Sequence, residues 1–162
     1  MGSFGSPYVQ GDTTMAMSTD TDVLAYEPDI HTYGIQSFAD EHAKTQADIE
    51  RILRIDWWPR HRNVLDQYRT TTTSVEMDAT KLTESQFTRA AVYHVLSYYI
   101  LPKLSKFTPD GDVFREKMEY YRARFQEEIN YILRDGPEYD FNNDGSVTDS
   151  EKQPVHYNRL VR

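Results

Sequence analysis

One long apolar stripe restricts the fold of this sequence more than any other feature. From Asp112 to about Leu133, large apolar residues recur at steps of three and four positions, with charged residues such as Arg122 and Glu127 between them. Side chains at this spacing share one face of an α-helix, and that face must pack against other elements. The stripe consists of Phe114, Met118, Tyr121, Phe125, Ile129 and Ile132. It predicts a long helix that needs partner helices.

Two further helical patterns lie in the first third of the chain. Residues 21–26 are typical of a short helix with Thr21 as its N-cap, and it stops before Pro28 because the residue before a proline is pushed out of the α region. Residues 38–56 place alanines and isoleucines on one stripe and charged residues on the other. This second helix is predicted to end at the Trp-Trp-Pro sequence that begins at Trp57.

A third helix is predicted just before the long one. Thr83 is a typical N-cap, and Gln86 stands three residues later, where it completes a capping box. The helical pattern runs to about Ile100, before Pro102. Together the four segments predict an all-α fold, a small bundle of about four helices.

Composition sets the size of the fold and excludes several classes of protein. A chain of 162 residues suits about one domain, and its 13% of aromatic residues can form a core although only 38% of residues are hydrophobic. The sequence has no cysteine, which excludes disulfides, thiolate zinc sites and iron–sulfur clusters. A net charge of −8 argues against a protein that coats DNA. No apolar run approaches the roughly 18–20 residues that span a bilayer, and the first residues lack the features of a signal peptide.

The helical region is expected to carry extensions at three places. Residues 1–19 are rich in Gly, Ser and Thr, which predicts a flexible N-terminal arm before a helical domain over 20–135. Residues 61–81 include a run of β-branched residues that could form a hairpin arm or an extended loop. Residues 136–162 are predicted to form a C-terminal extension with an ion-binding loop and a docking tail.

The sharpest motif lies in that C-terminal extension. Residues 140–151 match the pattern D-x-[DN]-x-[DN]-G-x5-E of an EF-hand calcium loop at every constrained position. Oxygen ligands at alternate positions suit Ca²⁺, the glycine allows a sharp bend, and the final glutamate supplies two oxygens. The alternative interpretation is an acidic surface turn that holds no ion. The candidate ligands are Asp140, Asn142, Asp144, Ser146 through its backbone carbonyl, Thr148 and Glu151.

The second helix of a complete EF-hand does not follow the motif. Pro154 stands three residues after Glu151, where it prevents such a helix, and the sequence has no second loop of this kind. A calcium sensor needs two helices that open. The arrangement therefore predicts a single structural loop that holds the C-terminal tail.

The last residues are basic in an otherwise acidic chain. No acidic residue follows Glu151. This charge predicts that the end of the chain binds a partner. The residues expected in that contact are Lys152, Tyr157, Arg159, Leu160, Val161 and Arg162.

No catalytic motif stands out, and a protein without enzymatic activity is expected. The sequence has neither a nucleophile elbow nor a Gly-rich phosphate loop. Residues 57–62 mix aromatic and basic side chains, which fits stacking on nucleotides or, as we favour, tryptophans that plug one end of the helical core. The histidines lack metal-ligand spacing; they are His31, His42, His61, His94 and His156.

The order of these pieces resembles the head-to-tail connector, or neck adaptor, proteins of tailed bacteriophages. The stretches that carry the resemblance are residues 22–30, the helix that ends in Trp57-Trp58-Pro59, the Tyr-rich helix pair, the loop at 140–151 and the end at 159–162. The resemblance implies an α-helical virion protein that forms a dodecameric ring beneath the portal, extends the DNA channel and docks the next neck or tail protein.

The same resemblance implies that residues 152–162 reach into the portal protein. A charge of −8 on every copy would make the channel negative, so that packaged DNA passes close to the ring without adhering. Connectors of this family do not require a calcium loop. The alternative function is therefore a single-site calcium-binding module for protein interaction.

Overall fold

The computed structural model describes residues 16–58, 76–106, 111–152 and 154–155. Four helices pack together in these residues, and the described ranges contain no strand, just one isolated antiparallel bridge between Leu82 and Tyr139. The expectation of a small all-α bundle is confirmed. Residues 1–15, 59–75, 107–110, 153 and 156–162 lie outside the described residues, and with them most of the predicted arm and mid-chain loop.

Helix α1 (Asp20–Tyr26) starts earlier than predicted. Its N-cap is Thr19, whose hydroxyl accepts a hydrogen bond from the Asp22 amide while the Asp22 carboxylate accepts one from the Thr19 amide at 2.8 Å. This reciprocal capping box needs an acid three residues after the cap, and Asp22 serves Thr19 rather than Thr21. The prediction of Thr21 as the N-cap is therefore wrong.

Helix α2 (Ala39–Ile52) continues into a π-helical turn over Leu53–Trp57. A short 3-10 turn over Ile30–Tyr33 separates it from α1. The Asp20 side chain accepts a hydrogen bond from the Phe38 amide at 3.1 Å. The start of α1 thus caps the start of α2 and holds the two helices together.

Helix α3 has three consecutive segments, Thr88–His94, a π-helical Val95–Ile100, and Leu101–Leu104. Two 3-10 turns, Ala79–Lys81 and Glu84–Phe87, precede it. The helix extends past its predicted end because Pro102 stands in the first turn of the last segment, where a missing N–H does little harm.

The capping box predicted from Thr83 to Gln86 is wrong. The Thr83 side chain makes no capping hydrogen bond. Gln86 instead donates to the Gly136 carbonyl at 3.1 Å and accepts from the Glu138 amide at 2.8 Å. A contact about fifty residues away in sequence therefore takes the place of the local cap.

Helix α4 (Val113–Asp135) is the long helix that the apolar stripe predicts. Its N-cap is Asp112, whose carboxylate accepts from the Phe114 amide at 3.0 Å. Apart from the half-buried Phe114, the stripe is buried against the other helices. Among the described residues, no helix combines the length and apolar character needed to cross a membrane.

The core consists of two apolar clusters. One surrounds the fully buried Phe38 and Val95, and the other contains Trp57, Trp58 and Phe87. Both tryptophans are buried, so they belong to the core, as favoured, and the nucleotide-stacking interpretation of these two side chains is wrong. The two tryptophans therefore fill the end of the core that lies next to Leu133 and Tyr139, where the C-terminal extension begins.

Polar side chains also lie buried between the helices. His94 of α3 is buried, with Nδ1 3.2 Å from the Thr45 hydroxyl and Nε2 3.8 Å from the Asp48 carboxylate, both on α2. Glu41 of α2 accepts a hydrogen bond from Lys103, and this bond holds the pKa of Glu41 below its usual value. Polar contacts therefore fix how α2 sits against α3.

Residues 16–19 belong to the helical body rather than to an arm. Met17 and Ser18 are buried, and the Ser18 hydroxyl lies 2.7 Å from Nδ1 of His42, whose Nε2 lies 3.0 Å from Asp20. The helical domain therefore begins before residue 20, and only residues 1–15 of the predicted arm stay outside the described residues.

Candidate calcium loop and C-terminal segment

The candidate loop is attached to the core by aromatic rings at its entrance. Tyr139 lies 5.8 Å from Trp57 and 5.2 Å from Trp58 between ring centroids, and Phe141 stacks on Trp58 at 6.2 Å. Tyr139 is buried and its hydroxyl accepts a hydrogen bond from the Asp78 amide at 3.2 Å. The first residues of the loop therefore start from a rigid base.

Backbone hydrogen bonds hold that base to the segment before α3. The Thr83 amide donates to the Glu138 carbonyl at 3.0 Å, and the Asp140 amide donates to the Lys81 carbonyl at 3.0 Å. With the two bonds of Gln86, these contacts form a short ladder beside the Leu82–Tyr139 bridge. Sequence reasoning missed this ladder because nothing in the local pattern marks partners so far apart along the chain.

The first half of the loop turns around the Asp140 side chain. Its Oδ2 accepts from the Gly145 amide at 2.8 Å and its Oδ1 from the Asp144 amide at 3.2 Å. Asn143 and Gly145 have φ values of 60° and 85°, in the left-handed region. A Cβ at Gly145 would meet nothing within 4 Å, so backbone conformation rather than space calls for glycine there.

The Asp144 carboxylate is held in its charged form by its neighbours. It accepts from the amide and the hydroxyl of Ser146, both at 2.9 Å, and from the Asn142 side chain at 3.0 Å. Hydrogen bonds to the charged form favour that form, and they lower the pKa of Asp144, the Ser146 amide most. This side chain is exposed and carries a full negative charge at neutral pH.

Glu151 closes the loop from the inside. Its Oε1 accepts from the amides of Phe141 and Asn142 at 3.1 and 3.2 Å, and its Oε2 from the amide and hydroxyl of Thr148, both at 2.9 Å. These bonds, led by the Thr148 amide, lower the pKa of this buried carboxylate. One side chain therefore joins the two ends of the twelve-residue loop.

The six candidate ligands thus lie in one folded loop, but the side-chain oxygens of the acids among them and of Asn142 accept hydrogen bonds from the loop's own amides. Among the described residues, no three or more His, Cys, Asp or Glu side chains converge as a metal-ligand group. The donors that the loop offers are all oxygens, and three of them are carboxylates, a set that suits a hard cation such as Ca²⁺. Ca²⁺ would have to compete with the amides for Asp140 and Glu151.

The chain after the loop is fixed to the body for a few residues. Lys152 lies 3.6 Å from both Glu138 and Asp149, and no helix follows it in the described part. Val155 is buried, and its amide donates to the Leu133 carbonyl at 2.8 Å. The other residues of the predicted partner contact, Tyr157 and Arg159 to Arg162, lie outside the described residues.

Comparisons of the chain with protein-family models, with curated proteins and with solved structures found no match. A function therefore has to come from the residues and their geometry. The loop, its aromatic base and the anchored Val155 are the features that can support one.

Proposed function

We propose that this chain is a structural virion protein, a head-to-tail connector of a tailed bacteriophage. In this proposal it forms a homo-oligomeric ring, a dodecamer, under the portal protein, links it to the next neck or tail protein and lines the DNA channel. It works by binding and has no enzymatic activity. The single observation that carries the proposal is the anchored exit of the chain at Val155.

The anchored exit favours a docking role for the segment that follows. Val155 and Glu151 are both buried, so the last described residue is fixed to the body beside the end of α4. The residues beyond it include Arg159 and Arg162 and no acid, which suits an acidic groove on a partner. A short segment that starts from a rigid base loses less entropy on binding than one that starts from a mobile base.

The charge of the chain fits a ring through which DNA passes. At −8 per copy, the ring would repel the phosphate backbone, and DNA would move near it without specific contacts. The charge also means that copies repel one another. Any contact between copies must therefore use a surface where this repulsion is small.

The proposed role of calcium is structural. The ligands would be Asp140, Asn142, Asp144, the Ser146 carbonyl, Thr148 and Glu151. An ion that binds only the ordered loop stabilises that loop by mass action. Because the loop leads directly to Val155, the bound ion would hold the exit direction of the C-terminal tail.

A single-site calcium-binding interaction module is the second candidate function. The complete match of the loop to the EF-hand pattern favours it independently of any virion. In that case a partner would bind only with the ion present, and the purified chain would not form rings. Light scattering on the purified protein, alone and with a portal ring, separates the two candidates.

Glu151→Gln is expected to weaken calcium binding at least tenfold, whereas Asp149→Asn should change it less than threefold. Position twelve of such a loop supplies two oxygens and position ten normally none, and the Asp149 side chain is fully exposed. Titration calorimetry on the wild type and both variants measures the difference. Undetectable binding by the wild type at millimolar Ca²⁺, or equal losses in both variants, would show that the loop is an acidic turn.

Deletion of residues 156–162 is expected to abolish assembly onto the portal and to leave the helical circular dichroism unchanged. The cut must spare Val155, because its buried side chain and its bond to Leu133 belong to the body. Cosedimentation with portal rings measures assembly. A matched control replaces residues 156–162 with a Gly/Ser stretch of equal length, which should fail in the same way. Normal assembly by the truncated chain would refute the docking role.

A further inference from the structure

A groove runs along α2 on the surface of the body. It has a volume of about 520 Å³ and lies between the chain at 16–20 and α2 from Ala39 to Glu50. Its floor includes three exposed alanines at successive turns, Ala39, Ala43 and Ala47. Small side chains let another helix approach the α2 backbone closely.

The groove is acidic. Asp20 and Glu50 are among its lining residues, and no lysine or arginine is among them. Asp20 is about one-third exposed, so its charge reaches the groove surface. A partner suited to this groove presents bulky side chains together with a cation.

The outward face of α4 has this character. Tyr120 and Tyr131 project from it with exposed fractions of 55% and 54%. Between them stands Arg124, whose guanidinium lies 5.4 Å from the Tyr120 ring centroid and 2.9 Å from Glu127. These four residues, three or four positions apart, share the face opposite the buried stripe. We call Tyr120, Arg124, Glu127 and Tyr131 the tyrosine ridge.

We infer that the tyrosine ridge of one copy packs into the α2 groove of a second copy. This inference rests on the proposed ring and names the surfaces that form it. The ends of the groove on α2, Ala39 and Glu50, are eleven positions apart, and the tyrosines of the ridge are also eleven positions apart. At 1.5 Å per residue, both lengths are about 16 Å.

The area and the charge of the contact fit a second copy. Because Tyr120 and Tyr131 are about half exposed, together they can bury roughly 150–250 Å² more, part of the roughly 800 Å² that each partner gives to a standard interface. The ridge carries one cation and one anion, so it is neutral in a chain of −8. It therefore adds no net charge to the groove, whose two acids lie at opposite ends, Asp20 beside the Phe38 amide and Glu50 beside Arg54. Tyrosine and arginine are also the side chains most often at the centre of interfaces.

Ridge and groove are different surfaces, so the contact is head-to-tail. Such a contact leaves one free ridge and one free groove after every addition, and copies add until a ring closes. This property separates it from a symmetric dimer, which uses the same patch on both copies and stops at two. It also allows a mixing experiment with a definite outcome.

The experiment uses one variant that blocks the groove and one that removes the ridge. Ala43→Trp fills the groove, and Tyr120→Ala with Tyr131→Ala removes both projecting rings. Matched controls are Ala25→Trp on α1 and Tyr33→Ala, whose side chains are exposed outside these two surfaces. Circular dichroism and thermal melts should match the wild type, because all substituted side chains are exposed.

Native mass spectrometry at the wild-type assembly concentration gives the result. Each blocked variant alone should be monomeric, and an equimolar mixture should form dimers and nothing larger, because the mixture has just one intact pair of surfaces. Rings formed by either variant would overturn the inference while the proposed function stands. A mixture that stays monomeric would overturn it as well. A wild type that never assembles would refute the ring itself and with it the proposed function.

A charge reversal gives a second test that leaves the tyrosines in place. Arg124→Glu should weaken association at least tenfold, because it brings a carboxylate against the acidic groove. Arg115→Glu is the control, since Arg115 is similarly exposed but lies on another face of α4. Equal association constants for the two variants, measured by analytical ultracentrifugation, would contradict the predicted contact.

Discussion

Trp57→Ala is expected to lower the free energy of unfolding by about 3–5 kcal/mol, as truncation of a buried aromatic side chain usually does. Trp57 is 1% exposed, and its ring lies within 5.8 Å of Tyr139 and 6.2 Å of Phe141 between centroids. The cavity would open between the end of α2 and the base of the candidate loop. The variant should therefore also expose the amides of the loop to hydrogen exchange.

Denaturant unfolding at neutral pH measures this loss. Ile55→Ala is the matched control from the same π-helical turn, because its side chain is 64% exposed. That substitution should change the free energy of unfolding by no more than about 0.5 kcal/mol. A loss below about 1 kcal/mol for Trp57→Ala would mean that the aromatic cluster does not hold the loop to the core.

Acidification from pH 6.5 to pH 4 is expected to remove up to about 3 kcal/mol of stability through His94 alone. Burial lowers the pKa of His94 from 6.5 to about 4, against the opposing effect of Asp48. In that range the unfolded chain binds a proton at His94 and the folded chain does not, so stability falls as the pH falls. Below about pH 4 both states bind the proton and the loss from this residue ends.

The surroundings of His94 explain why its pKa is lowered. Tyr98 stacks on its ring at 4.5 Å between centroids and Phe125 meets it edge-on at 4.7 Å, while the hydroxyl of Tyr99 donates to Asp48. This hydrogen bond occupies part of the Asp48 carboxylate, which lies 3.8 Å from Nε2 of His94 and would otherwise stabilise an imidazolium. Burial also raises the pKa of Tyr99 to about 12.

His94→Gln tests this account. Glutamine can keep a hydrogen bond to Thr45 but does not titrate, so the variant should lose about 3 kcal/mol less than the wild type between pH 6.5 and pH 4. The carboxylates that do not contact His94 contribute equally to both proteins and cancel in the comparison. Urea unfolding at a series of pH values gives the two slopes. Parallel slopes would show that the folded protein protonates His94 at its ordinary pKa.

The sequence predicts the helices well because their signals are local. The spacing of apolar residues from Phe114 to Ile132 predicts α4, and its cap at Asp112 follows the same local logic. The predicted cap of α3 is wrong because a distant segment competes for the same side chain. Gln86 binds Gly136 and Glu138 rather than the start of its own helix. The local sequence shows that a side chain can form a cap, but it does not show whether that side chain binds its own helix or a distant segment.

The candidate site also has a part that the sequence predicts and a part that it does not. Its six predicted ligands fall in one loop because twelve consecutive residues carry them, but the capture of Phe141 and Thr148 amides by Glu151 does not follow from the motif. The aromatic base beneath the loop and the pairing of His94 with Thr45 depend on how helices pack. Such contacts join residues whose separation in sequence carries no periodic signal.

The fluorescence of the two tryptophans reports on the candidate loop. They are the sole tryptophans of the chain, and both lie 6.2 Å from Phe141, the second residue of the candidate loop, between ring centroids. Their emission therefore comes entirely from the place where the loop joins the core. Any ligand that moves Phe141 would shift the tryptophan fluorescence, so ion binding in the loop can be followed in the unlabelled protein.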